Sequence, residues 1–411
     1  MKHLLPLFFV VVSLFSGSAA FGARPLADSK CPERQDIRDV SLRKTMELYA
    51  VRYDNLRPIE GRCPSDHKLV QLALLLDTSN SMDGLINQAK SQLWRIVNEL
   101  SRMHKRGESV RLQVALYEYG NNALSPASGY IRQVTPFTED LDLLSEALFS
   151  LDTYGGSEYC GHVIGSSLNR LRWNSSPQGL KLIYIAGNEP FDQGEVSYES
   201  ACRWAAERDI IVNTIYCGDY RTGVNTFWKR GATIGGGSYF AINSDMETKG
   251  TVTPYDHDLM ELNKRINATY VPYGREGKRS FARQAEQDRK AEAFSAPVAA
   301  ERAASKVSSL YEASRWDLVD AIETKAVTVQ GLDREHLPDE LKGMSGKEIE
   351  QFVHKKRQER YELKRQIAEL GRKRDGYLRN REQSESGSQS LGSVIIKNLR
   401  AQAEVKNFSL R

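Results

Sequence analysis

The run Leu69-Val70-Gln71-Leu72-Ala73-Leu74-Leu75-Leu76 and the segment that closes it, Asp77-Thr78-Ser79-Asn80-Ser81, decide the fold of this 411-residue chain. All of the first eight residues but Gln71 are apolar. A run this continuous has no wet face, and its length suits a strand, so it reads as a central strand of a parallel sheet covered on both sides. Ile86, Ala89, Leu93, Ile96, Val97 and Leu100 then fall on one side of a helix. The alternation continues along the chain. Strands are expected over 110–117, 129–134, 180–186 and 210–216, with a last short one ending at Phe240 after Gly235-Gly236-Gly237. Between them lie helix faces made by Leu143, Leu144, Ala147, Leu148 and Leu151, and by the segments 163–171, 198–208 and 258–267. This order predicts an α/β fold: a doubly wound, mostly parallel, Rossmann-like sheet. Ligands of such sheets bind beyond the carboxyl ends of the strands, and that is where Asp77 falls.

The pattern D-x-S-x-S puts one carboxylate and two hydroxyls, those of Ser79 and Ser81, on a single tight loop. Hard cations such as Mg²⁺ take oxygen ligands of this kind and keep several waters. Neutral hydroxyls leave the ion under-neutralised, with open positions that an acidic group from a partner can fill. In its strand-to-helix setting the loop resembles the metal-ion-dependent adhesion site of von Willebrand factor type A domains. The resemblance covers roughly residues 68–270. Tyr154-Gly155-Gly156-Ser157 is similar to the family's second loop, and Gly235-Gly236-Gly237-Ser238-Tyr239-Phe240 to its terminal strand. The resemblance implies Asp77, Ser79, Ser81 and Ser157 as ligands of Mg²⁺ or Mn²⁺, and a protein partner that presents an acidic group. One departure is clear. The family's third loop, T-D-G-E-P, reads Ala186-Gly187-Asn188-Glu189-Pro190 here, so Gly187 stands where an Asp normally orients metal-bound waters. Glu158, Glu189 and Asp192 are the candidates to compensate; if none does, the fold is kept with a vestigial site.

Met1-Lys2-His3, the short apolar run 4–15 and Ser18-x-Ala20 read as a signal peptide over 1–20, with cleavage after Ala20, or after Gly22 or Ala23. No later apolar stretch reaches the roughly 18 residues of a membrane span. The expected location is periplasmic or secreted, where disulfides persist. Five cysteines are an odd number. Cys31 and Cys63, each followed by Pro, are the candidate pair, and the pairing of Cys160, Cys202 and Cys217 stays open. No paired CxxC suggests structural zinc. With 57 Lys+Arg against 53 Asp+Glu, a net charge of +4, nothing in the overall charge points to nucleic acid. A 40% apolar and 27% charged composition excludes collagen-like and multi-span membrane classes.

Residues 21–66 form an N-terminal segment with one amphipathic piece near 40–51, and 67–272 the sheet domain. From 273 to 382 the chain is charged and helical. Val307, Leu310, Tyr311, Ser314, Leu318 and Ile322 predict a helix around Trp316, and a linker with Gly331, Pro338, Gly343 and Gly346 follows. One long helix is expected over 347–381, with twelve Lys/Arg against six Asp/Glu, a local balance of +6. Leu363, Ile367, Leu370 and Tyr377 give it an apolar seam too short for a robust coiled coil, expected to pack on the 307–322 helix. The Ser/Gly-rich tail 383–411 is expected to be disordered apart from a short helix near 394–399. No catalytic residues are expected: Cys160-Gly161-His162 places neighbours that do not face each other on a helix, and neither a Ser-His-Asp order nor GxSxG occurs. The expected function is that of an exported, non-enzymatic protein-binding module. The alternative is an accessory scaffold subunit that meets its partner through the C-terminal helices.

Overall fold

The computed structural model describes residues 54–56, 63–244, 250–382 and 390–410. The expected signal peptide, the 40–51 piece and Cys31 lie outside the described residues. The strands are β1 (Leu69–Asp77), β2 (Met103–Lys105), β3 (Glu108–Ser109), β4 (Arg111–Tyr119), β5 (Ile131–Thr138), β6 (Leu180–Gly187), β7 (Ile211–Cys217), β8 (Gly236–Ile242) and β9 (Phe408–Leu410). The first eight helices are α1 (Asp83–Leu100), α2 (Leu141–Phe149), α3 (Cys160–Arg170), α4 (Tyr198–Glu207), α5 (Tyr220–Asn225), α6 (Trp228–Ile234), α7 (Asp256–Asn267) and α8 (Gly277–Phe294). There follow α9 (Ala296–Ser305), α10 (Leu318–Glu323), α11 (Asp339–Lys342), α12 (Gly346–Glu382) and α13 (Leu391–Val405).

The main sheet runs β5-β4-β1-β6-β7-β8. Its pairs are parallel except β4–β5, where the edge strand turns back antiparallel. β1 sits in the middle, and every one of its residues is buried. Its alternate side chains enter two cores. Leu72, Leu74 and Leu76 meet Ile86, Leu93 and Val97 of α1 on one face. Ala73 and Leu75 meet Val163 and Ile164 of α3 and Ala201 of α4 on the other. The polar exception, Gln71, is fully buried and occupied: its amide donates to Gln113 Oε1 (2.8 Å) and Arg172 O (3.1 Å) and accepts from Asn174 N (2.6 Å). The doubly wound, mostly parallel sheet is therefore as the apolar runs predict.

The C-terminal expectations need correction. The tail is not disordered over 391–410. Leu391, Val394, Ile395, Leu399 and Ala403 of α13 lie in the same core as Leu72, Leu74 and Ile215. The Ser390 hydroxyl and Ser393 cap that helix reciprocally. Its polar residues reach into the sheet: Tyr184 Oη donates to Asn398 Oδ1 (2.7 Å), and Asn213 and Gln402 exchange amide hydrogen bonds. β9 then pairs antiparallel with β2, closing the chain back onto the sheet domain. The continuous helix predicted over 307–322 is also absent. The chain leaves α9 at Ser305 and starts α10 afresh at Leu318, because the Asp317 carboxylate accepts from Asp320 N (2.9 Å) and Val271 N (2.6 Å).

The long helix α12 is present over its whole expected length. Leu363 and Ile367 pack against Leu259, Leu262 and Ile266 of α7 and Ala300 and Ala303 of α9, rather than on a 307–322 helix, while Tyr377 is exposed. Three buried arginines fasten these helices. Arg302 meets Asp142 (2.8 Å) and Asp288, and stacks over the Trp94 ring. Arg360 meets Asp317 and Asp320, both at 2.5 Å. Arg374 meets Asp256 (2.8 Å) and Glu301 (2.5 Å). Sheet domain and helical region share one packed interior.

Candidate metal centre

Parallel pairing brings three strand ends together. Asp77 lies opposite Tyr119 at the end of β4, and Leu76 opposite Ala186, one residue before Gly187. The loop after β1 is then tied to the loop before α3 by two main-chain bonds, Tyr154 N to Thr78 O (3.0 Å) and Asn80 N to Gly155 O (3.0 Å), and by Gly155 N donating to the Asn80 side chain at Oδ1 (2.8 Å). The two glycines of the second loop serve this approach. Gly155 has φ +58°, and a Cβ on Gly156 would lie 2.7 Å from Ser79 Cβ. Ser157 and Glu158 are thereby delivered beside the Asp77 loop.

Asp77 is fully buried. Its Oδ1 accepts from Ser79 N (2.7 Å), and its Oδ2 has no hydrogen-bond partner. Glu158 is 3% exposed, and its Oε2 likewise has none. A Cβ placed on Gly120 would touch both, at 2.7 Å from Asp77 Oδ1 and 2.8 Å from Glu158 Cγ, so the two carboxylate side chains converge on one small volume. Burial pushes the Asp77 carboxyl well above the usual range, and the neighbouring Glu158 charge pushes it further. Glu158 is raised by burial, and the Glu189 charge adds to that. Ser79 Oγ and Ser81 Oγ stand 3.4 Å apart at the rim.

Gly187 has a physical reason. A side chain there would start 2.5 Å from the Tyr119 hydroxyl and 3.1 Å from Asp77 Oδ2. The hydroxyl, fully buried, donates to Ala186 O (3.0 Å) and fills the space where the family carries a third-loop carboxylate. Of the candidates to compensate, Glu158 alone is buried with Asp77. Glu189 is exposed and accepts from Gln193 Nε2 (3.2 Å), and Asp192 is exposed beyond Pro190. Sequence reading missed Tyr119 and Asn188. The Asn188 amide nitrogen donates to Ser81 Oγ (2.9 Å), while its buried Oδ1 has no donor. The signal available for both was the rule that strand ends gather at one edge.

The residues fit a hard cation. Asp77 Oδ2, Glu158 Oε2 and Asn188 Oδ1 are buried acceptors without donors, and buried polar atoms are ordinarily satisfied. Among the strongest influences on Asp77 and Glu158 there is no Lys or Arg. The set is all oxygen, as Mg²⁺ and Mn²⁺ require. A central strand ending in D-x-S-x-S, a parallel neighbour, β6, carrying the third loop, a second loop between α2 and α3 tied to the first, and an antiparallel edge strand complete the pattern. The sheet domain has the von Willebrand factor type A fold. No protein-family model matches the chain, and no curated protein does.

Solved structures with likeness to this sheet domain include an aerotolerance-related membrane protein from Bacteroides fragilis carrying multiple mutations to serine. It is 16% identical, covers 43% of this chain and 93% of its own, and has a TM-score of 0.30. The SpRpn10 VWA domain is 15% identical over 42% and 88%, with a TM-score of 0.33. The vWF domain of the type V pili tip protein Mfa5 from Porphyromonas gingivalis is 12% identical over 44% and 90%, with a TM-score of 0.30. The family likeness rests on this chain's own strand order and loop residues.

The remaining candidates are not brought to this site as working groups. Cys160, Cys202 and Cys217 are buried, and burial pushes the Cys160 thiol far up, away from nucleophilic use. His162 faces Asn55, its Nε2 2.9 Å from Asn55 Oδ1. Asp333, Glu335 and His336 come together on an exposed turn, but Asp333 already caps it by accepting from Glu335 N (3.1 Å) and facing His336 Nδ1 (2.7 Å). Among the described residues no helix is long and apolar enough to cross a membrane.

Proposed function

We propose that the chain is an exported, non-enzymatic protein-binding module. Its von Willebrand type A domain engages a partner through a divalent cation, Mg²⁺ or Mn²⁺, at the Asp77 face. Asp77, Ser79, Ser81 and Ser157 would hold the ion, with Glu158 beside them. The bound ion supplies a positive centre that an acidic oxygen from the partner completes. The observation that carries this reading is the set of donorless buried oxygens of Asp77, Glu158 and Asn188 at the loop edge of the sheet. Exposed Tyr154 stands on the second loop, next to the glycines, as contact area for a partner. Co-purification from the exported fraction tests the reading. A partner retained in Mg²⁺, released by chelator and lost in Asp77→Asn supports it; retention that ignores both refutes it.

The scaffold reading has one observation in its favour. Tyr361 on α12 is 72% exposed among Arg357, Arg365 and other charged side chains, as a partner-facing residue would be. Tyr361→Ala separates the readings, because it leaves a cation-dependent complex intact and breaks one made through the helices. Mass spectrometry of the mature protein tests export, with an N-terminus expected between Phe21 and Arg24.

A further inference from the structure

We propose that Glu158 is the second anionic ligand of the cation site, taking the place of the carboxylate absent at Gly187, so that the free chain holds its cation without any acidic group from a partner. This rests on the cation reading above and goes beyond it. The resemblance supplies one carboxylate on the first loop, hydroxyls, and an acid on the third loop. In this chain the third-loop position is closed. Tyr119 Oη lies where a Gly187 side chain would begin, and it is fixed there by its bond to Ala186 O. The compensating carboxylate comes from the second loop instead, one residue after the expected ligand Ser157.

Three observations place it. Glu158 is 3% exposed, so its carboxylate is out of bulk water. Its Oε2 has no donor, and neither has Oδ2 of Asp77. Gly120 and Gly156 make room for it: a Cβ on either would meet Glu158, at 2.8 Å from Cγ and 3.2 Å from Oε1 respectively. Two buried carboxylates with no ion-pair partner among the described residues are a costly arrangement, and such a pair persists where a proton or a cation is shared between them. A divalent ion balances both charges at once. An ion so balanced is held before a partner arrives. The partner's acid therefore gains less from the ion than it would in a site with a single carboxylate, and the coupling between cation and partner is correspondingly weaker.

Mn²⁺ binding to the full mature chain, followed by calorimetry and by the paramagnetic resonance of free Mn²⁺, tests this with wild type, Glu158→Gln and Asp77→Asn side by side. Thermal melts in chelator accompany them. The wild type is expected to bind Mn²⁺ with no partner present, and Glu158→Gln to bind at least tenfold more weakly. The melting temperature of Glu158→Gln in chelator should be equal to or above that of wild type, since a buried like-charge contact is removed. Glu158→Gln binding within twofold of wild type, while Asp77→Asn loses it, overturns this proposal and leaves the cation site standing. A lowered melting temperature of Glu158→Gln in chelator assigns the residue to folding and also overturns it. No binding by wild type overturns both readings.

Discussion

Asp288 and Asp77 are both buried carboxylates, and the molecule treats them in opposite ways. Asp288 lies between α8, α9 and α7 with Arg302 and Lys306 Nζ (2.6 Å) against it, and with amide donors from Asn263 (3.1 Å) and Asn267 (2.5 Å). Despite its burial, those two cations hold its carboxyl far below the usual range. Asp77 has one backbone donor, a second carboxylate for a neighbour, and a carboxyl pushed up. The chain thus has the means to neutralise a buried acid and does so wherever the purpose is to fasten helices. At Asp77, on the loop edge of the sheet, no such cation is among the strongest influences on the acid. A buried carboxylate supplied with a protein cation is structural; one left without it holds a proton or, as proposed above, an ion from solution.

The largest way to break the comparison is on the fastened side. Removing 391–411 strips α13 from the sheet face and exposes Leu72, Leu74 and Ile215 while leaving Tyr184 and Asn213 without their partners. The expected outcome is loss of cooperative unfolding, with dye-binding apolar surface, in a denaturant titration. A truncated chain that unfolds with the wild-type midpoint would show that the tail only decorates the domain.

Next comes the clamp itself. Arg302→Ala leaves Asp142 and Asp288 buried with less counter-charge and should cost about 3–5 kcal/mol, the range for breaking a buried pair by removing one partner. Urea unfolding measures it. Arg302→Ala combined with Asp288→Asn should lose less than the sum of the two single changes, because the orphaned charge is gone.

A third case sharpens the contrast: a titratable group buried neutral. Burial lowers His162 from 6.5 to about 4. The unfolded chain takes up the proton as pH falls through 6.5, and the folded chain does so only near 4. The stability contribution is therefore complete above pH 6.5 and is lost progressively as pH falls towards 4. The loss amounts to at most about 3 kcal/mol, from the size of the shift. His162→Gln should flatten that part of the pH–stability curve in thermal melts between pH 7 and 4.

The central strand and the Asp77 loop were legible because their signal is local. An apolar run broken only by Gln71 and bounded by Asp77 suits a buried strand at that length, and D-x-S-x-S puts its oxygens on one turn whatever the rest of the chain does. Glu158 was visible as a candidate, but its burial is set by Gly120 and Gly156, which come from different loops. Tyr119 and Asn188 were not legible, since their roles arise only when β4 and β6 are placed beside β1. In α13 the spacing Leu391, Val394, Ile395, Leu399 was present in the sequence, and the Ser/Gly-rich stretch before it hid the helix start that Ser390 makes. The break before α10 was missed because apolar spacing across 307–322 fits one helix or two. The Asp317 carboxylate decides between them by capping Asp320.

The contrast between Asp77 and Asp288 is tested most directly by melting Asp77→Asn and Asp288→Asn beside wild type, in chelator and in millimolar Mg²⁺. Wild type should melt higher in Mg²⁺ than in chelator, through binding to the folded state alone. Asp77→Asn should lose that increment and melt in chelator at or above wild type. Asp288→Asn should melt lower in both and keep the Mg²⁺ increment. If instead wild type shows no Mg²⁺ increment, and Asp77→Asn in chelator falls as far as Asp288→Asn, then Asp77 is a structural carboxylate and the account is wrong.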